Sequence, residues 1–310
     1  MRIVILKDEN LRTESMDEVD NQNEADFAEK CLSLKHSVKQ IPFTGDIRAM
    51  MATLRKLKPD VVFNLVESVC ESGALSVIAV QVLEIMGIPF TGNHIYSQII
   101  SANKSIAKRV LMEKDIPTPI GCFKPDTEYI LKAKTEHASM ALDDSCITKF
   151  SSELELKATI ADKEKETGME WIAEKYIDGR EFNCAFIGDQ ILPPAEIRFD
   201  RDFVGHKVLT YQAKWDEESD SYQQSLRHFD IEDSVLDRLC NLTDICRRKL
   251  DLKGYARVDF RMDNYGNLYV IDINTNPCIS PDSGFTAMVE KAGMTHEEMF
   301  EIIIKDAFNN

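Results

Sequence analysis

The run Arg257-Val258-Asp259-Phe260-Arg261-Met262, the turn-prone Asp263 to Asn267, and Leu268-Tyr269-Val270-Ile271-Asp272-Ile273-Asn274 constrain the fold more than any other part of the chain. Both flanks are rich in β-branched and aromatic residues, which predicts an antiparallel hairpin. Side chains alternate along a strand, so Arg257 shares a face with Asp259, and Asp272 with Asn274. A loop of two or four residues centres the hairpin between Tyr265 and Gly266. Asp259 then opposes Asp272, and Arg257 opposes Asn274. Directly opposed Cβ atoms lie ~4.5–5.5 Å apart, where like charges are destabilising. A hard dication between the two carboxylates, with an amide oxygen beside it, would turn that repulsion into a binding site. Oxygen-only ligands favour magnesium or manganese over zinc. The competing reading is a solvated hairpin face, and a slip of one residue would remove the pairing.

The rest of the chain supplies the surroundings. Residues 2–6 and 60–66 read as buried strands, and Leu75 to Met86 as a buried helix ended by Gly87. Ile88 to Gly92 then resumes extended. Strands alternating with helices imply a parallel, helix-covered sheet, with residues 1–97 as a first lobe. Asn103 to Lys114 reads as a helix with Ile106, Val110 and Leu111 on one face. Tyr129 to Lys134 and Trp171 to Tyr176 read as strands. Residues 152–166 form a charged helix with Leu154, Ala158 and Ala161 inward. Glu181 to Ile187 and Ile191 to Phe199 flank a Gly188-Asp189 turn, and residues 231–250 are helical. Thr295-x-x-Glu298 is a capping box, opening a last helix with Met299, Phe300, Ile303 and Ile304 inward.

A length of 310 residues suits two or three packed lobes. The formal net charge of −16 opposes any broad grip on nucleic acid, which needs clustered Lys and Arg. The eight cysteines show no CxxC spacing, so neither a zinc ribbon nor a disulfide framework is expected. The N-terminal apolar run is too short for a signal peptide, and no stretch approaches the ~20 apolar residues of a membrane span. A cytoplasmic protein with no membrane partner is the expectation.

Arg257-x-Asp259, Asp272-x-Asn274 and Asn276-Pro277 together resemble the C-terminal signature of the ATP-grasp superfamily. They are most similar to its D-alanine–D-alanine ligase branch, which reads Arg-x-Asp and later Glu-x-Asn-x-x-Pro. Glu174-Lys175-Tyr176-Ile177 followed by Glu181 looks like the family's adenine hinge and ribose-binding acid. Lys104 matches the lysine that opens the central lobe. Lys132, with Glu136-His137-Ala138-Ser139, resembles the second ATP lysine and the phosphate-covering loop. Tyr211-Gln212-Ala213-Lys214 resembles Tyr-x-Ala-Lys, and Phe90-Thr91-Gly92 the Tyr-Thr-Gly that ends the first lobe.

This resemblance implies an α/β fold of three lobes, the first Rossmann-like at 1–97, the central at 98–178 and the C-terminal at 179–310. It implies ATP and Mg2+ (or Mn2+) as cofactors, and an ADP-forming ligase that joins a carboxylate to an amine through an acyl phosphate. Lys104, Lys132 and Lys214 would hold the polyphosphate, and Lys175 and Ile177 would read adenine through their backbone. Glu181 would accept from ribose, and Ser139 would meet the transferred phosphate. Asp259, Asp272 and Asn274 would hold the metal, Arg257 the oxyanion, and Ser283 a substrate carboxylate. Cys278 would line the second substrate's site.

Blander readings stand beside each of these: surface lysines, a solvated Glu174–Lys175 pair, a surface Glu181, an Arg257 strand ion pair, a small filler at Cys278 and a helix cap at Ser283. The chain also departs from the family at Asp272, where Glu is usual, and at Cys278, where Gly is usual. Lys7 to Asp26 lacks the Gly-rich turn and Ser-x-Glu pattern, and Leu209 and Trp215 stand where Tyr is common. The amino-acid pocket is therefore expected to differ, with an amino acid or short peptide as substrate and a homodimer as the assembly. A catalytically inactive ATP-binding regulator on the same frame is the alternative function.

Overall fold

Four successive apolar residues, Ile3 to Leu6, are too many for a half-solvated strand and need cover on both faces. They form the middle of β1 (Arg2–Asp8), and all four are at most 3% exposed. The computed structural model describes residues 1–9, 16–70, 72–135, 142–199, 205–208 and 225–309. After β1 come α1 (Met16–Leu32), β2 (Ser37–Phe43), α2 (Ile47–Leu57), β3 (Val61–Asn64) and α3 (Val77–Met86). The three strands run parallel in the order β2-β1-β3, and Phe90 adds a parallel bridge to Val62. Gly87 ends α3 in the left-handed region at φ +62°, as the sequence suggested.

Two short helices follow, α4 (Ile95–Ser101) and α5 (Lys104–Glu113), the latter capped by the Asn103 side chain. The buried face of α5 carries Lys104, Ala107 and Leu111, whereas Ile106 is 38% exposed. Leu111 and Val110 pack into an apolar core as expected, and only Ile106 leaves the expected face. A second sheet places β4 (Glu128–Ala133) between β5 (Ile147–Lys149) and β6 (Trp171–Lys175), all antiparallel. Across it lies α6 (Glu153–Thr167), where Leu156 and Ile160 pack inward and Leu154 is 78% exposed. Leu156 and Ile160 are the true i, i+4 pair. The expected stripe of Leu154, Ala158 and Ala161 faces solvent.

The largest sheet is antiparallel throughout. It contains β7 (Gly179–Ile187), β8 (Gln190–Ile191), β9 (Ala195–Phe199), β10 (Ser225–His228), β11 (Tyr255–Asp263) and β12 (Leu268–Asn274), in the order β10-β9-β7-β11-β12 with β8 on β7. One face carries Phe182, Cys184, Phe186, Val258 and Phe260 into a core shared with Leu111 of α5 and with α7 (Asp233–Lys249). The chain ends in α8 (Gly284–Lys291) and α9 (His296–Asp306), and the Thr295–Glu298 capping box forms in full.

The first and last segments share one core. Phe300 of α9 lies 5.4 Å from Phe27 of α1 and 5.6 Å from Phe63 of β3, ring centre to ring centre. At the seam, a Cβ on Gly254 would sit 2.9 Å from the Gly92 Cα, so two glycine backbones touch where no side chain fits. Beside them the buried Asn93 amide donates to the Tyr255 and Thr275 carbonyls and accepts from the Lys253 N–H. That single side chain ties the start of β11 to the residue after β12. Among the described residues no helix is long and apolar enough to cross a membrane.

Candidate active site

The β11–β12 turn is odd, not even. Asp263 bonds across to Asn267, its carboxylate caps the Tyr265 and Asn267 N–H groups, and Gly266 takes φ +82°. A three-residue loop alone would set Asp259 opposite Ile271. Phe260 does pair with Val270, Arg261 with Tyr269 and Met262 with Leu268. A β-bulge then intervenes, and beyond it Asp259 pairs with Asp272 and Arg257 with Asn274. The expected register is reached by a route the sequence reading did not foresee: Ile271 is the extra residue, and it makes up for the odd loop.

Alternation gathers the polar residues of this sheet on one face. Asp259 opposes Asn183 on β7, and Arg261 opposes Glu181. The Asn183 amide donates to Asp259 Oδ1 at 2.8 Å. Arg257 donates from Nε to Asp259 Oδ1 at 2.8 Å and from Nη2 to Oδ2 at 3.0 Å, the strand ion pair named as its blander role. Burial works against the Arg257 charge, yet Asp259 and Asp272 beside it hold the guanidinium above its ordinary value. The Asp272 Oδ1 accepts from the Ile273 N–H, and the Asn274 Oδ1 from the Asn276 N–H. Among the described residues no group of three or more His, Cys, Asp or Glu could hold a metal by itself. The donor set fits magnesium all the same, since that ion commonly takes one or two carboxylates and leaves its other positions to water and phosphate. Asp259 and Asp272, directly opposed beside an amide oxygen, are such a set.

At the far end of β11, Arg261 is 3% exposed. It donates to Glu181 at 2.8 Å, to the Ile177 carbonyl at 3.0 Å, to the Tyr176 hydroxyl at 3.2 Å, and to the Lys207 carbonyl. Glu181 is therefore a buried, paired carboxylate and not a surface one. Tyr176 packs edge-on to His206. The Lys175 N–H donates to the Ile120 carbonyl, while its side chain is exposed.

The solvated Glu174–Lys175 pair, the blander alternative for this segment, does not form. Glu174 is 2% exposed and takes Lys132 on one oxygen and Lys108 on the other, the latter at 2.9 Å. Burial alone would raise its pKa, but the two ammonium groups hold it below the ordinary value. Lys104 is likewise buried, and its N–H donates to the Lys134 carbonyl. None of these is the solvated lysine that composition alone would favour. Ser139, Lys214, Leu209 and Trp215 lie outside the described residues.

The loop after β12 meets α1. The Cys278 thiol donates to Asp20 at 3.2 Å and lies 2.7 Å from the Ser280 hydroxyl. The Glu24 carboxyl accepts from the Ile279 N–H at 2.6 Å. Burial, with Asp20 and Asp8 nearby, raises the Glu24 pKa to about 8. Burial also pushes the Cys278 thiol well above its usual range, helped by Glu24 and Asp20. Ser283 caps α8 by accepting from the Thr286 N–H at 3.1 Å.

Sequence reasoning missed Lys108, Asn183 and Arg261. The last two had a signal: Arg261 continues the alternation of Arg257 and Asp259, and Asn183 that of Glu181. Lys108 had only its i+4 spacing from Lys104.

Residues 144–305, more than half of the chain, match the family model described as D-ala D-ala ligase C-terminus. The chain is 28% identical over 291 residues to the D-alanine–D-alanine ligase of Sphingopyxis alaskensis, spanning 88% of this chain and 87% of that one. Among solved structures, the D-alanine–D-alanine ligase of Bacillus anthracis superposes with a TM-score of 0.76 at 19% identity, over 100% of this chain and 98% of that one. The same enzyme complexed with ATP gives 0.75 at 18% identity, with equal coverage. With its parallel N-terminal sheet, two antiparallel sheets and paired aspartates on one strand face, the chain belongs to the D-ala D-ala ligase family and has the ATP-grasp fold.

Proposed function

We propose that this chain is an ATP- and magnesium-dependent, ADP-forming ligase that joins the carboxylate of one amino acid or short peptide to the amine of another. The observation that carries the reading is the register of Asp259 on Asp272, with Arg257 and Asn274 alongside. Two opposed carboxylates destabilise a hairpin unless a cation lies between them. Lobe boundaries near 97/98 and 178/179 belong to the same reading.

In this scheme Lys104, Lys132 and Lys214 hold the polyphosphate, Ser139 meets the transferred phosphate, and Glu181 receives the ribose. The Lys175 carbonyl and the Ile177 N–H meet adenine over the flank of Tyr176. Asp259, Asp272 and Asn274 would hold magnesium, which when bound neutralises charge on the nucleotide's terminal phosphates. Catalysis is then positioning and electrostatics. A substrate carboxylate held against the γ-phosphate becomes an acyl phosphate, and the second substrate's amine displaces phosphate from its carbonyl. Arg257 releases one arm from Asp259 and donates to the oxyanion of that displacement, with the Cys278 N–H as its companion. Ser283, at the N-terminus of α8, would receive a substrate carboxylate. The acidic contacts of Cys278 with Asp20, near Glu24, support an amino-acid pocket altered from that of the D-alanine ligases.

The test is phosphate release with Mg·ATP over a paired panel of D- and L-amino acids and dipeptides. Release above the no-substrate rate for at least one pair, with an amide product, is expected. No release for any pair, together with tight Mg·ATP binding, would favour a catalytically inactive ATP-binding regulator. The bidentate hold of Asp259 on Arg257 is what supports that second reading.

A further inference from the structure

Lys108 stands one helical turn beyond Lys104 and is assigned no part in the scheme above. Its side chain is 12% exposed, and its ammonium reaches three acceptors on two other elements. Glu174 Oε2 of β6 lies at 2.9 Å, the Ile271 carbonyl of β12 at 2.9 Å and the Val270 carbonyl at 3.2 Å. The two carbonyl contacts are hydrogen bonds, and the Glu174 contact is an ion pair. A buried ammonium is costly without compensating partners, so one ion pair and two hydrogen bonds make a defined seat for this cation.

The two carbonyls are those of the bulge. The three-residue turn by itself favours Asp259 opposite Ile271, and the extra residue restores Asp272. β12 is also an edge strand, so its outer row of carbonyls would otherwise face no sheet partner. Three groups bond the backbone along that edge. The Pro117 carbonyl accepts from the Val270 N–H, the Thr118 hydroxyl donates to the Val270 carbonyl at 2.8 Å, and Lys108 alone of these bonds the bulged residue, Ile271. The same ammonium holds Glu174, whose other oxygen holds Lys132.

We infer that Lys108 is a positioning residue: by gripping the Ile271 and Val270 carbonyls from α5 it fixes the bulge, keeps Asp272 opposite Asp259, and so couples the metal-binding pair to the Glu174–Lys132 pair of the neighbouring sheet. This rests on the ligase reading for the identity of the metal and nucleotide. Burial lowers the Lys108 pKa, and Glu174, with Asp272 behind it, favours the charge against that burial.

The experiment is calorimetric ATP binding by the full chain with and without saturating Mg2+, in wild type, Lys108→Met and Lys108→Arg. The quantity read is the gain in ATP affinity on adding Mg2+. Lys108→Met is expected to shrink that gain at least tenfold, and Lys108→Arg, which keeps a cation and forked donors, to recover most of it. If Lys108→Met does not fold, Lys108→Gln carries the same expectation. A Met or Gln variant with the wild-type gain, or one losing ATP affinity equally with and without Mg2+, overturns the inference while leaving the ligase reading intact. A wild type whose ATP affinity ignores Mg2+ overturns both.

Discussion

At the scale of single residues, charge placement decides what this sheet face can do. Arg257 holds Asp259 through two hydrogen bonds, and in the proposed scheme it would turn to an oxyanion when a cation takes its place. Arg257→Ala should therefore retain Mg·ATP binding within about threefold while turnover falls ~10²–10³-fold, the usual cost of losing one oxyanion donor. Calorimetry beside phosphate release checks it, and an equal loss of binding and turnover would contradict it. Glu24 makes a prediction of opposite character. Its folded-state pKa is about 8, above the ordinary carboxylate value of an unfolded chain. The folded protein thus holds a proton that the unfolded chain has released, so this contribution to stability is full below about pH 4.5 and fades as pH rises toward 8. Glu24→Gln should flatten that decline, seen as urea midpoints that change less between pH 5.5 and 8 than those of wild type. Residues on the hairpin face were legible because alternation places them. Lys108 was not, because a lysine on a helix looks solvated until the partners that bury it are known.

At the scale of elements, the hairpin is set at three points: its turn, its bulge and its ends. Gly266 at φ +82° permits the odd turn, and Gly266→Ala should cost about 1 kcal/mol for lack of left-handed freedom. The ends depend on Asn93. Asn93→Leu leaves two carbonyls and one N–H buried without their partner, and at ~1–3 kcal/mol for each unpaired group the loss should exceed about 3 kcal/mol. Denaturant midpoints for both variants test these values, and a Leu variant within 1 kcal/mol of wild type would refute the second. Elements with dense apolar runs, such as α3 and β1, were legible. The segment that forms α1 was not, because its buried residues Ala25, Ala28 and Leu32 are small or sparse and its acidic residues face the loop after β12. The Leu154 stripe was misassigned because two adequate helical registers coexist in α6, and only the sheet beneath selects Leu156 and Ile160.

At the scale of the whole molecule, the ends of the chain share a core, and the lobes are not independent beads. Phe300 is fully buried against Phe27 and Phe63, from the first sheet layer. Phe300→Ala should cost ~3–5 kcal/mol and lower the urea midpoint of a single transition. Tryptophan fluorescence, which reports on Trp171 and Trp215, and far-ultraviolet circular dichroism should shift together. Separate transitions would show that the shared core does not couple the lobes.

The order of residues by itself determined the strand-and-helix alternation of the first lobe, the antiparallel hairpin, and which side chains could share its polar face. Those follow from periods of two and 3.6, which are local properties of the backbone. Only the tertiary structure decided that an odd turn and a bulge at Ile271 together bring Asp272 to Asp259, and that Lys108 is buried to hold that bulge. Register and burial are settled by partners distant in the chain, and no local period carries that information.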